Sequence, residues 1–572
     1  MTAATQADRE RQEALATVPP ATAPAHVPAW LMWTFGLMVL LIYFGLLGHF
    51  GLAEPDEPRY AEIAREMIEL GDWVTPHLNY VKYFEKPPLI YWLTAANAAL
   101  FGTSAFVLRL WPAVFACVGI VTAYALGCAM YGEWVGAVAA ALLAATPLYF
   151  GLGQILILDM PLSALMGFGL AAFWFAYTRA ERGCFVLALY VATALGVLTK
   201  GPVAALLTGA VIAAFLLSQR DRRALRWLIS PLGIGLFCLI AVPWHVLVSY
   251  RNPEFIEFFV IKQHLARFLT PDEHREPLWF FVPIVFGGML PWSLCLLCAP
   301  GRLREYLGWR RLRSLSPAAW YCLSWSGVVF VFFSLSGSKL GTYVLPLFCP
   351  LAILAARFLQ RVVAERQADM FVRVCYALLV FAGGCVVGAA ITARLVHAWQ
   401  VDIVVPRMYL GAIVLGAAAL ASLRLARRRA VWESFVVLLF GMLLLQAVAI
   451  SGRGAAEEYR DLGEVIRRQA RPEDAVISYR HYVQALAFYG RRRIIMASGR
   501  GELSFGSRQG DQRAFFWDTD EQLIQAWHSD RHVFLVINWY ELDSLRPRLD
   551  PPPRQIAVHH KKRIVVNFND HD

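Results

Sequence analysis

Cysteine is missing from most of this sequence. All ten cysteines fall between Cys117 and Cys385, within or beside apolar runs, and none lies beyond Cys385 or in the polar loop after residue 249. That excludes a disulfide framework. The one CxxC pair, Cys295 and Cys298, sits inside an apolar run and does not read as a metal site. Charge is scarce as well, at 17% of 572 residues. A signal-peptide cleavage site is also lacking. Residues 1–29 are polar and Ala/Pro-rich, the pattern of a disordered cytoplasmic N-terminus, and the apolar run behind them is too long for a secretory leader, so it should persist as an anchor. From Gly454 onward there is no G-x-G-x-x-G, P-loop or catalytic triad. That stretch therefore reads as accessory rather than as a nucleotide-binding or hydrolytic domain.

What the sequence holds instead is apolar length. Hydrophobic residues make up 58% of the chain and the mean hydropathy is +0.49, beyond the range of a soluble globular protein. The chain reads as a polytopic α-helical membrane protein. Runs long enough to cross hydrocarbon occur near 30–51, 106–130, 133–150, 160–178, 184–199, 201–218, 227–248, 278–299, 317–335, 341–358, 370–394, 405–423 and 431–451, about thirteen spans on the usual length criterion. Pro87 to Phe101 is shorter and reads as an in-plane helix. With a cytoplasmic N-terminus, the Arg clusters at 179–182, 220–226, 302–313, 357–366 and 424–429 all fall inside, as the positive-inside bias requires. The formal charge of +11 is then topology rather than a nucleic-acid surface, and no nucleic-acid partner is expected.

This topology divides the chain into 1–29, a membrane domain over 30–453 with outer loops 52–105 and 249–277, and a C-terminal domain over 454–572. An odd span count puts that last domain outside. Ala475–Tyr479, Arg493–Met496, Val533–Trp539 and Ile564–Phe568 read as strands there, and Tyr482–Tyr489 and Asp520–Ser529 as helices, giving a small α/β fold.

The unusual residues gather on the predicted outer face. In Pro55-Asp56-Glu57-Pro58-Arg59-Tyr60, the second proline suits the first turn of a helix. Tyr60, Ile63, Ala64, Met67 and Leu70 then recur as an apolar stripe opposed by Glu62, Arg65, Glu66 and Glu69, the pattern of a helix resting in the interfacial plane. Asp56 and Glu57 could merely cap it. Ionisable groups at a membrane surface, however, commonly mark a substrate path. On the same face lie Lys82, Tyr83, Glu85 and Lys86, then Asp159, Lys200, Lys262, His264 and Arg267, and then Lys339 and Tyr343. Lysines and arginines of this kind pair with phosphate oxygens, and tyrosines add directed hydrogen bonds. Taken singly, Lys82 and Lys86 also fit snorkelling side chains, Asp159 a helix cap, and His264 a surface histidine.

The strings PDEPRYAEIAREM, YFEKPPL, LDMP, LTKGP and SGSKLGTYVLP resemble the bacterial aminoarabinose transferases of lipid A, within the protein O-mannosyltransferase-like enzymes of the glycosyltransferase C fold. The resemblance covers nearly the whole chain. It implies a multi-pass inner-membrane enzyme, expected to act as a monomer, whose active site and C-terminal domain are periplasmic. Its donor would be an undecaprenyl-phosphate-linked aminosugar and its acceptor a lipid A phosphate. By motif, Asp56 and Asp159 match the catalytic acids, and Lys86 with Tyr343 part of the carrier-phosphate site. Arg59, Tyr60, Lys82, Tyr83, Lys200, Arg267 and Lys339 are the further substrate-binding candidates. Members of the family can also hold a divalent metal, zinc or magnesium, for which Glu85 and His264 are the candidate ligands.

Two alternatives remain open on the residues themselves. One is a transferase of the same fold acting on protein Ser/Thr or another glycolipid, where Asp56 would serve as base. The other is a flippase for a lipid-linked sugar, against which the absence of internal span repeats argues.

Overall fold

The computed structural model describes residues 26–266, 275–299, 315–395, 401–451 and 459–569. Among them, nine helices are long and apolar enough to cross a bilayer: Ala105–Tyr131, Asp159–Thr178, Gly183–Lys200, Pro231–Arg251, Pro317–Leu335, Gly341–Ala364, Ala368–Leu395, Val404–Arg427 and Val431–Ser451. Each coincides with an expected span. The other four expected spans are shorter or broken, so the count of thirteen is not reached by length. Ala29–Gly45 and Val203–Gln219 are apolar helices of 17 residues each. Glu133–Ala144 and Pro147–Gly153 form one bent pair, turning by 65° where Pro147 restarts the chain as a new helix. The run at 278–299 breaks into Phe281–Gly288 and Trp292–Leu297 at Gly287, Gly288 and Pro291, residues that interrupt helical hydrogen bonding. Leu89–Phe101 has 13 residues, about 20 Å of helix, too short to cross.

The helices pack through a continuous apolar interior holding Tyr43, Tyr91, Trp134, Tyr149, Phe173, Tyr321 and Trp325, all buried. Leu41, Val121, Leu239 and Val380 stay exposed on the outside, as side chains facing lipid do.

Beyond the spans, the stretch after the first helix folds into the helix Asp56–Leu70 and a hairpin of β1 (His77–Leu78) and β2 (Val81–Lys82). Asn79 and Tyr80 turn the hairpin with φ of 55° and 58°, the left-handed pair that a two-residue hairpin loop demands. The C-terminal domain carries β3 (Ala475–Tyr479), β4 (Ile495–Ala497), β5 (Phe516–Trp517), β6 (Val533–Asn538), β7 (Arg554–His559) and β8 (Lys562–Val566). They form one sheet in the order β5-β4-β3-β6-β8-β7, parallel from β5 to β6 and antiparallel at β8 and β7. Alternate strand residues feed two cores: Ile477, Leu535 and Ile537 pack on one face, and Val476, Phe534 and Val536 on the other. Both faces are covered, as a largely parallel sheet requires.

The helix Asp56–Leu70 departs from expectation. Tyr60, Ile63, Ala64 and Met67 are buried, but Leu70 is exposed, and Glu62 and Glu66 on the supposedly wet face are fully buried. The helix Gln484–Gly490 of the C-terminal domain packs against that face. The helix is therefore enclosed between two domains rather than resting at an open interface. Arg65 answers the buried Glu62 with two hydrogen bonds of 2.8 Å, and the Tyr80 N–H donates to Glu66 at 3.0 Å.

Candidate active site

The adjacent acids Asp56 and Glu57 have opposite environments. Glu57 is 2% exposed and receives Nε and Nη2 of the fully buried Arg109, each at 2.7 Å. Its carboxylate also accepts the N–H groups of Ala53 at 2.9 Å and Leu156 at 2.8 Å. Arg109 donates further to the carbonyls of Leu47, Phe50 and Gly51 and stacks 4.0 Å from the Phe50 ring. Glu57 is thus a strut that fixes the end of the first span, the start of the outer helix and the turn before Asp159. Asp56, by contrast, has a side chain 51% exposed and is paired with Arg59 Nη1 at 2.8 Å. Arg59 in turn places its Nε 2.6 Å from Glu502, a residue of the C-terminal domain.

The bond from Leu156 to Glu57 brings Asp159 to the same end of the molecule. Asp159 starts its span and pairs with Lys200 at 2.5 Å, each side chain 13% exposed. The Lys200 ammonium lies 4.4 Å from the centre of the Tyr343 ring. Tyr60, packed 5.8 Å from Tyr91, ties the two halves together. Burial first, and then the charges of Asp56, Asp159 and Glu85, raise its phenol well above the ordinary range, so it stays neutral. Tyr83 is raised likewise by burial and by Glu85. Asp56, Arg59, Tyr60, Tyr83, Glu85, Asp159, Lys200 and Tyr343 therefore share one neighbourhood, and Lys86 adjoins it with its ammonium 3.2 Å from the Glu85 carbonyl.

Other expected residues stand apart from this group. Lys82 is paired with Glu254 at 2.6 Å, fastening the hairpin to the segment after the Pro231–Arg251 span. Lys339 is buried and donates to the Glu276 carbonyl at 2.8 Å, beside a bridge between Arg275 and Ser338. Both ammonium groups thus have partners in the outer loops. Lys262 is exposed and lies 3.4 Å from Glu257. Arg267 and the His264 side chain lie outside the described residues. No three His, Cys, Asp or Glu side chains converge as a metal site among the described residues, so the expected zinc or magnesium centre finds no support there.

Sequence reasoning missed the contribution of the C-terminal domain. Its Glu502 reaches Arg59, and burial pushes the Glu502 carboxyl up to about 7. Gln484 donates to the same carboxyl, and the Ala485 N–H donates to Glu54 at 2.5 Å. The dock is extensive: Asn79 exchanges two hydrogen bonds with Ile494, at 2.9 and 2.8 Å, and the tilted ring of Phe505 lies 4.0 Å from that of Phe258 and 5.7 Å from that of Phe84. A domain read as accessory is a wall of the site. The available signal was Glu502 itself, an acid in a turn flanked by Gly501 and Gly506, though nothing local points it at Arg59.

A multi-span bundle that gathers two separated acids, lysines and tyrosines at one end, beneath a docked α/β domain, defines a glycosyltransferase of the glycosyltransferase C class that uses a lipid-linked sugar. Family models agree domain by domain. Residues 29–259 match dolichyl-phosphate-mannose-protein mannosyltransferase, and residues 462–567 match the aminoarabinose transferase C-terminal domain. The chain belongs to the undecaprenyl phosphate-α-4-amino-4-deoxy-L-arabinose arabinosyl transferases. It is 32% identical to the one from Edwardsiella ictaluri, over 73% of this chain and 76% of that protein. It is 29% identical to the one from Serratia proteamaculans, over 92% and 95%. The crystal structure of ArnT from Cupriavidus metallidurans bound to undecaprenyl phosphate superposes with a TM-score of 0.84 at 28% identity, covering 95% of this chain and 99% of that one.

Proposed function

We propose that this protein takes 4-amino-4-deoxy-L-arabinose from undecaprenyl phosphate and places it on a phosphate of lipid A, acting as a monomer at the periplasmic face of the inner membrane. The observation that carries the reading is the meeting of Asp56–Arg59–Glu502 and Asp159–Lys200–Tyr343 at one end of the bundle. An acceptor phosphate oxygen attacks the anomeric carbon. The bond from that carbon to the carrier oxygen breaks, and its electron pair leaves on undecaprenyl phosphate. Positive charge grows on the sugar ring in the transition state, where preorganised carboxylates stabilise it. Asp56 and Asp159 supply that charge.

A phosphate acceptor is already ionised at neutral pH, its second pKa lying near about 6. Transfer to it needs no strong base. The half-exposed Asp56 is better suited to orienting the acceptor, or to meeting the sugar's ammonium group, than to abstracting a proton. Negative charge growing on the departing carrier phosphate calls for cations and hydroxyl donors. We assign Lys86, Lys200 and Tyr343 to answer it, with Arg267 as the expected fourth. Arg59 already faces two carboxylates, which assigns it to holding Asp56 rather than gripping phosphate.

Purified protein in detergent, given labelled undecaprenyl phosphate aminoarabinose and lipid A, should deliver label to lipid A. Label on protein would favour the Ser/Thr acceptor, and label that stays on undecaprenyl phosphate would favour a flippase. Either result would overturn the reading.

A further inference from the structure

The Arg59 guanidinium stands between carboxylates of two domains, hydrogen-bonded to one through Nη1 and ion-paired with the other beside Nε, whose N–H makes no hydrogen bond among the described residues. Nη1 donates to Asp56, three residues earlier on the same helix, and Nε lies 2.6 Å from Glu502 on the turn Gly501–Ser504 of the C-terminal domain. Both contacting side chains in the second pair are largely buried, at 14% and 16% exposed. Glu502 is itself held, because Gln484, at the start of the helix packed on Asp56–Leu70, donates to its other oxygen. The turn has little freedom to move. A Cβ at Gly506 would stand 2.3 Å from the Lys82 carbonyl oxygen, so the domain's backbone lies directly against the hairpin, and the rings of Phe505, Phe258 and Phe84 close the same seam. The position of Glu502 is thus set by the docking of a whole domain.

Resting on the reading that Asp56 acts in transfer, we propose that Glu502 is a positioning residue: through its buried charge contact with Arg59 it holds the guanidinium that aims Asp56. The C-terminal domain then completes the reaction centre rather than covering it. The physical argument is one of geometry. Asp56 is half exposed, and among the described residues Arg59 is the side chain that holds its carboxylate against water. A planar guanidinium presents donors along two edges and can bridge two carboxylates at once, whereas an ammonium is a single point of charge. A displacement near 1 Å at a reacting centre costs up to about 100-fold in rate. The same arrangement explains why Glu502 is tolerated although largely withdrawn from water: it ends on a cation and an amide donor, the pairing that a buried carboxylate requires.

The test uses the full-length protein in detergent, with wild-type transfer to lipid A measured first, so that failure of the function and failure of this inference are told apart. Glu502→Gln keeps the shape and removes the charge. It should lower kcat by about 10- to 100-fold with donor KM little changed, while resistance of the C-terminal domain to limited proteolysis stays at the wild-type level. Arg59→Lys should lower kcat similarly, and the double variant should lose no more than Arg59→Lys alone, because both changes break one linkage. Gln484→Met, which leaves every charge in place, should give a smaller fall in kcat and serves if Glu502→Gln does not fold. Wild-type kcat in Glu502→Gln, a rise confined to KM, multiplicative losses in the double variant, or loss of activity together with loss of the dock would each overturn the proposal.

Discussion

Asp56 and Glu57 are neighbours with opposite fates, and the contrast separates what builds this protein from what works in it. The Glu57–Arg109 pair is buried, bidentate and satisfied at every turn by backbone carbonyls and N–H groups. The Asp56–Arg59–Glu502 set is partly open, spans two domains and leaves Asp56 half in solvent. A carboxylate with every lone pair committed has no capacity left for a substrate. One held by a single neighbour and reachable from outside does.

The sharpest way to break that comparison is to remove one acid at a time. Asp56→Asn should lower transfer by about 1000-fold or more, within the span that electrostatic and acid-base groups contribute, while the protein inserts and unfolds at the normal temperature. Turnover near wild type would take Asp56 out of the mechanism. Arg109→Leu should do the reverse. It leaves Glu57 buried and unpaired at a cost of about 3–5 kcal/mol, seen as loss of folded, monodisperse protein in detergent. Any fraction that does fold should retain transfer.

Lys200→Met probes the second half of the site. It frees Asp159 from its partner and removes a cation from beside Tyr343, and transfer should fall by about 10- to 100-fold with less effect on thermal unfolding than Arg109→Leu. Gly506→Ala addresses the seam between domains, where the new methyl meets the Lys82 carbonyl. Overpacking of this kind costs about 1–3 kcal/mol and should appear as earlier proteolysis of the C-terminal domain.

The most graded effect is one of pH. Enclosure between the domains raises the Glu54 carboxyl to about 8 and that of Glu502 to about 7, whereas a released chain titrates near about 4.3. Between those values the docked form holds protons that the released form has lost, so docking weakens as pH rises from about 4.5 towards 8. Thermal melting or proteolysis of the dock followed across that range should show the decline, and Glu54→Gln should flatten it. A dock that tightens with rising pH would contradict these assignments.

Much of this was legible before any coordinates. The spans, the first acid motif, the second acid at the head of a helix and the lysine opposite it lie in short strings whose chemistry is local. The α/β character of the C-terminal domain was legible too, although β5, with two residues, and β7, with arginine at one end and histidine at the other, are too short or too polar to stand out. The two broken spans hid because composition registers apolar length and not continuity. Glu62 and Glu66 misled for a related reason: a hydrophobic stripe reports one buried face, and the second face of that helix is buried by a partner hundreds of residues away.

The sequence alone settled that the chain crosses a membrane many times and carries acids, lysines and tyrosines at turns between spans, since hydrophobic length and helix starts depend on residues close together in the chain. Only the tertiary structure decided which charges face which: Glu57 to Arg109, Lys82 to Glu254, Asp159 to Lys200, and Arg59 to a glutamate of the other domain. A side chain's partner is fixed by how whole helices and domains pack, and that packing energy is spread over contacts that no short window of sequence contains.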